Sequence, residues 1–194
     1  MFDNYVLKEK SPEIWAQHIV DHFDLFLQDH ASCERKAAAL AMSFVAKYPD
    51  RTKLIDPMGA LAREELEHFH QVYHLIQKRG QVLHSKDEKD HYVNSILKHL
   101  RHGRDERFLD RLIMSGLVEA RGNERFSLLA ERLDDLELRK FYMDLSLKEA
   151  GHCKIFLRIA KQYFSQTQVE EALSRISEIE SEAMLAAPVT AKLH

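Results

Sequence analysis

The chain has 194 residues, 45% of them hydrophobic and 30% charged, with a formal net charge of −3. This is the composition of an ordinary globular protein; it excludes a chain that is basic throughout, so any cationic surface for nucleic acid has to be local. No apolar run approaches the ~20 residues of a membrane span, the opening residues lack the apolar stretch of a secretory leader, and two cysteines make no disulfide framework, which points to a reducing cytoplasm.

Only six glycines and four prolines punctuate the chain, and no segment alternates apolar with polar residues. Long helices are therefore expected, and no strands. Ser11 and Pro12 read as an N-cap and first helical position. A helix then runs from Glu13 to Phe23 and breaks near Asp24 or Asp29. A second runs from Ala31 to Tyr48, and Pro49 ends it. Pro57 is expected to open the main helix, Met58 to Arg79, with Gly80 as its C-terminal cap. After a polar stretch, further helices are expected from Tyr92 to His102, Asp105 to Leu133, Leu136 to Phe164 and, capped by Thr167, Val169 to Leu185. The tail from about Ala186 to His194 is expected to be loose. Nothing resembles a linker, so residues 1–194 read as one all-α domain.

Glu-x-x-His occurs four times, at Glu65/His68, Glu67/His70, Glu88/His91 and Glu149/His152. A helix advances about 100° per residue. Glu65 and His68 then share a face with Met58, Leu61, Ala62, Phe69, Val72, Leu75 and Ile76, whereas Glu67, His70 and His74 lie opposite. Glu149 and His152 share a face with Leu138, Tyr142, Leu145, Cys153, Phe156, Ala160 and Tyr163. Glu34 falls among Leu27, Ala37, Ala38, Ala41 and Val45, and Glu119 among Phe108, Leu112, Phe126 and Ala130. Glu88/His91 lies in the polar connection. The order is thus Glu, Glu-x-x-His, Glu, Glu-x-x-His, with 31 residues from Glu34 to Glu65 and 30 from Glu119 to Glu149.

Uncompensated buried carboxylates cost several kcal/mol each. Two divalent metals would neutralise four of them, with one imidazole on each metal. This is the carboxylate-bridged site of ferritin-like four-helix bundles, here with a long crossover connection and extra flanking helices. Oxygen-rich ligation suits iron or manganese better than structural zinc. The alternative is a bundle whose buried Glu and His pair only with each other. Cys33 and Cys153 flank ligands but point about 100° away, which favours packing over ligation. The pattern alone does not separate a ferroxidase, a peroxidase, a quinone hydroxylase and a tRNA hydroxylase. A quinone hydroxylase should carry an amphipathic membrane-docking surface, and no helix displays one. The stretch from Lys98 through Arg101, Arg104, Arg107 and Arg111 is locally basic but is interrupted by Asp105, Glu106 and Asp110. By itself such a run is usually a solvated helix face.

The blocks "ASCERKAA", "LAREELEHFHQV", "LVEARGNERFSLLA" and "KFYMDLSLKEAGH" surround these ligands. Together they resemble the tRNA 2-methylthio-isopentenyl-adenosine hydroxylase (MiaE) family from about Trp15 to Phe164. The Arg-Gly-Asn after Glu119 departs from the family's pattern without touching a ligand. The resemblance implies two iron ions held by Glu34, Glu65, His68, Glu119, Glu149 and His152, with dioxygen as co-substrate. It further implies hydroxylation of the isopentenyl side chain beside the tRNA anticodon, and a reductase partner that supplies two electrons. It favours RNA contact for Lys98, Arg101, Arg104, Arg107 and Arg111. Ser115, Gly116, Gly122 and Asn123 could leave room for dioxygen and the substrate tail, or could mark close helix contact.

Overall fold

The computed structural model describes residues 5, 7–86 and 89–194. Glu88 of the Glu88/His91 pair, and residues 1–4 and 6, on which part of the leader reading rests, lie outside the described residues. Among the described residues there are seven helices and no strand: α1 (Glu13–Asp21), α2 (Phe23–Lys47), α3 (Thr52–Lys78), α4 (His91–Leu97), α5 (Arg104–Arg132), α6 (Leu136–Tyr163) and α7 (Gln166–Ala186). No described helix is long and apolar enough to cross a membrane. The chain groups into two compact units. One comprises Asp21–Glu88 and Thr190–Leu193; the other comprises the chain up to Val20, Lys89–Val189 and His194.

The first unit is the α2/α3 hairpin. Residues 48–51 join the two helices, and so short a connection makes them antiparallel. Phe26, Leu27, Ala31, Ala38, Ala41 and Phe44 of α2 are buried, as are Leu54, Met58, Leu61, Val72 and Ile76 of α3. The break before α2 falls at His22 rather than near Asp24 or Asp29. Asp24 instead lies in the first turn of α2, where a carboxylate is favourable to the helix dipole. Helix α3 begins at Thr52, and Pro57 lies inside it rather than opening it. Proline there removes one backbone hydrogen bond, but Leu54, fully buried in the turn before it, anchors that turn. The end of α3 is a Schellman motif: the N–H of Gln81 donates to the Ile76 carbonyl at 3.1 Å and that of Gly80 to Gln77 at 2.9 Å. Gly80 has φ +69°.

In the second unit α5 packs against α6 and α7, and α7 also against α4. Every residue of α5 from Phe108 to Leu117 is buried, so this stretch has no solvent face. Helix α4 stops at Leu97 instead of running to His102. The fully buried Asp110 accounts for this: it accepts from the backbone N–H of Arg101 at 2.8 Å and from its guanidinium at 2.7 Å, drawing the chain off the helical path. Arg175 of α7 pairs with the same carboxylate. The cap of α7 is Ser165, not Thr167, because Ser165 and Gln168 complete a capping box. The tail is not loose at its end. Leu193 is buried and its N–H donates to Asp29 at 2.8 Å, while the His194 ring stacks on Tyr92 at 5.5 Å. A Cβ on Gly116 would run into the ring of Tyr5, so at this glycine close contact, not room for substrate, is the structural reason.

Two stability predictions arise here. Nothing lies within 4 Å of where a Cβ on Gly80 would stand, so Gly80→Ala adds only left-handed backbone strain. It should cost about 1–2 kcal/mol in a denaturant titration. Burial would raise the Asp110 carboxyl, but hydrogen bonds from Arg101 and the Arg175 charge outweigh it and hold it below the usual carboxylate range. A lowered folded-state pKa contributes stability above the unfolded value of about 3.9, which is lost as pH falls through the folded value. Asp110→Asn should therefore destabilise on the order of 2 kcal/mol at pH 7. That is less than the roughly 3–5 kcal/mol for breaking a fully buried pair, because both arginines are partly exposed. The gap from the unaltered protein should close below about pH 4 in acid melts.

Two candidate metal half-sites

Glu34, Glu65 and His68 come together inside the α2/α3 unit, exposed by 3%, 1% and 2%. His68 Nδ1 lies 3.4 Å from Glu65 Oε2 on its own helix and 3.6 Å from Glu34 Oε2 across the hairpin. The helical phasing read from the sequence holds, since Glu67, His70 and His74 of α3 are all exposed. In the other unit Glu149 and His152 are 3% and 2% exposed, with His152 Nδ1 3.3 Å from Glu149 Oε2. Glu119 on α5 is half-buried, on the face that carries the buried Phe108, Leu112, Phe126 and Ala130. A Cβ on Gly122, one turn along from Glu119, would meet Glu149 Cγ at 3.9 Å, so α5 passes close to the α6 donor.

The donor distances test whether these residues suit a metal. A good N–H···O bond spans about 2.7–3.2 Å. The imidazole–carboxylate distances of 3.3, 3.4 and 3.6 Å exceed that range. Two ligands about 2.1 Å from one ion, at tetrahedral or octahedral angles, stand roughly 3.0–3.4 Å apart. The Glu-x-x-His donors therefore have the spacing of groups directed at a common ion. Buried carboxylates with neutral imidazoles also have the right chemistry for a divalent cation, and the residues fit.

His30 lies outside the Glu-x-x-His pattern. It is fully buried, and its Nε2 stands 2.7 Å from Glu34 Oε1, a normal hydrogen-bond length. It lies one helical turn before Glu34, on the same face, and that spacing was its only signal. Cys33 and Cys153 are free thiols. Cys153 donates to the Ala150 carbonyl at 3.3 Å, and burial pushes its thiol up, so it is a packing residue rather than an activated one.

The basic run separates into different environments. Lys98 and Arg104 are exposed and Arg107 is half-buried. Arg101 is exposed but engaged by Asp110. Arg111 is only 6% exposed and is removed from the candidate RNA surface, because it falls where α5 is covered on all sides.

A solved structure, "Protein 43 with aldehyde deformylating oxygenase activity from Synechococcus", is 34% identical to this chain. It covers 97% of this chain, 94% of its own length is covered, and the TM-score is 0.90. The fold and the donors together define the class: an all-α, ferritin-like protein with buried glutamates and histidines that could hold a metal ion. Within that class, residues 2–194 match the description "tRNA-(MS[2]IO[6]A)-hydroxylase (MiaE)", and the chain belongs to that family. A relative from Pseudomonas putida, named tRNA 2-(methylsulfanyl)-N(6)-isopentenyladenosine(37) hydroxylase, is 33% identical over 89% of this chain and 83% of its own length. A Salmonella typhimurium protein of the same name is 28% identical over 90% and 82%.

Buried ionic groups kept for function contribute little to stability. In metal-stripped protein, replacing Glu65 by Met together with His68 by Leu should leave the unfolding free energy unchanged or raise it, by up to about 1–4 kcal/mol. A large loss of stability in calorimetry would mean that the pair is structural.

Proposed function

We propose that this protein is a non-haem diiron monooxygenase that hydroxylates the isopentenyl side chain of 2-methylthio-isopentenyl-adenosine beside the tRNA anticodon. Family membership across nearly the whole chain carries the reading. The buried glutamate–histidine pairs support it by supplying ligands where the chemistry needs them. Glu34, Glu65 and His68 hold one iron; Glu119, Glu149 and His152 hold the other. Residues 1–194 act as a single diiron domain. The irons, when bound, activate dioxygen. One oxygen atom enters a C–H bond of the side chain, and the other leaves as water with two protons and two electrons from a reductase.

The protein's own contribution is positioning and exclusion of water. Phe126, Tyr142 and Phe156, each at most 1% exposed, share the helix faces of Glu119 and Glu149 and keep that half-site dry. His30 orients Glu34 through its hydrogen bond. Lys98, Arg104 and Arg107 contribute phosphate contacts for the RNA. The modified adenosine sits in a single-stranded loop, where a base can be turned out of its stack.

The Synechococcus structure favours a second reading, removal of the formyl group from an aldehyde. Incubation with ferrous iron, dioxygen, a chemical reductant and either tRNA bearing the modified adenosine or a long-chain aldehyde separates the two. We expect the nucleoside to gain one oxygen atom by mass spectrometry and the aldehyde to be recovered intact; the reverse would assign the second reading. Glu149→Ala should lose about half of the bound iron and all turnover, whereas the exposed Glu67→Ala should change neither.

A further inference from the structure

We propose that the solvent face of α6 from Leu145 to Tyr163, beyond the exposed Asp144, is a docking track for the sugar–phosphate backbone of the tRNA, an inference that rests on the hydroxylase reading above. From Leu145 to Tyr163 the exposed charged residues are Lys148, Lys154, Arg158 and Lys161, and all are positive. The one carboxylate in that span, Glu149, is 3% exposed and belongs to the metal half-site. In a chain of net charge −3, such segregation onto one face is not the average outcome.

Lys154, Arg158 and Lys161 stand at i, i+4 and i+7 and form one ridge, with Lys148 on its flank. From Lys148 to Lys161 the track is about 20 Å long. Like charges four residues apart weaken a helix, so the row has no stabilising role of its own. Elsewhere in this unit Arg101 and Arg175 pair with Asp110, and Arg121 pairs with Glu180. Among the described residues Lys148, Lys154 and Arg158 have no carboxylate partner. Three cations of one sign without carboxylate partners on one face fit a polyanion.

Two further features suit RNA. Leu147, 69% exposed, lies on the same face and offers an apolar contact to a ribose or base. Gly151 is exposed, and nothing lies within 4 Å of where its Cβ would be, so a strand can approach the backbone between Glu149 and His152 in the sequence. At its far end the track runs toward the start of α5, where the Tyr163 ring lies 5.7 Å from that of Phe108. Arg104 and Arg107 begin that helix.

The test uses the iron-loaded protein and labelled tRNA carrying the modified adenosine, with binding followed by fluorescence anisotropy across a salt series. Lys154→Gln with Arg158→Gln should weaken binding at least tenfold near 0.1 M salt. The slope of log affinity against log salt should flatten by about 1.4–1.8, the value for two lost phosphate contacts. Lys47→Gln with Lys78→Gln, on exposed ends of α2 and α3, removes the same charge and should leave the slope unchanged. Circular dichroism establishes that both variants keep their helices. Unchanged affinity and slope in the α6 variant overturn the inference. So does unchanged tRNA binding with slower turnover from a protein reductase, which would make the face a docking site for an acidic electron donor. If the unaltered protein binds no tRNA, the hydroxylase reading fails and takes this inference with it.

Discussion

Carboxylates buried beside imidazoles are the constraint on which the rest of this fold depends. Each ion taken out of water carries a penalty of several kcal/mol, and the protein accepts it at Glu34, Glu65 and Glu149, all at most 3% exposed. The helical period answers the demand cheaply. A glutamate and a histidine three residues apart share a face, and a short connection returns the chain so that a second helix adds its carboxylate. The long helices, the short turns at 48–51 and 133–135, and the firm caps at Gly80, Asp135 and Ser165 all serve to keep the donors in register.

A second buried ionic group lies on the other side of α5. Arg121, fully buried and about 200° around the helix from Glu119, donates to Glu180 of α7 at 2.8 Å, and the Tyr92 hydroxyl of α4 donates to the same carboxylate at 2.7 Å. Ser11 and Glu124 extend the network, with the Glu124 carboxylate accepting from the Ser11 N–H at 3.0 Å. Burial pushes the nearby Arg125 guanidinium down to about 10, and it lies 5.0 Å from the Trp15 ring. These groups tie α1, α4 and α7 to α5 with directional bonds, which fixes how the flanking helices sit around it.

The all-α class, the long helices and the inward phase of Glu34, Glu65, His68, Glu149 and His152 were legible in the sequence, because a 3.6-residue period displays burial directly. The details that failed were set by tertiary partners. Helix α4 stops early because Asp110, nine residues ahead of Arg101, captures its backbone. Arg111 reads as a surface cation, but it falls in a stretch covered on every side, where periodicity carries no signal. His30 stood outside the Glu-x-x-His pattern and became visible only through its contact with Glu34. Pro57 looks like a helix start because propensity alone does not register the anchoring by Leu54.

The envelopment of α5 from Phe108 to Leu117 also has a consequence in time. A helix with one wet face can fray or lift by sacrificing few contacts, whereas this stretch can open only when its neighbours leave it. Its amides should therefore exchange with solvent deuterium at the rate of global unfolding, while those of the short α4 exchange through local opening. Glu119 sits two residues past this slowest segment. Its carboxylate is thus carried at the edge of the most persistent backbone in its unit, and keeps its place while neighbouring segments open and close.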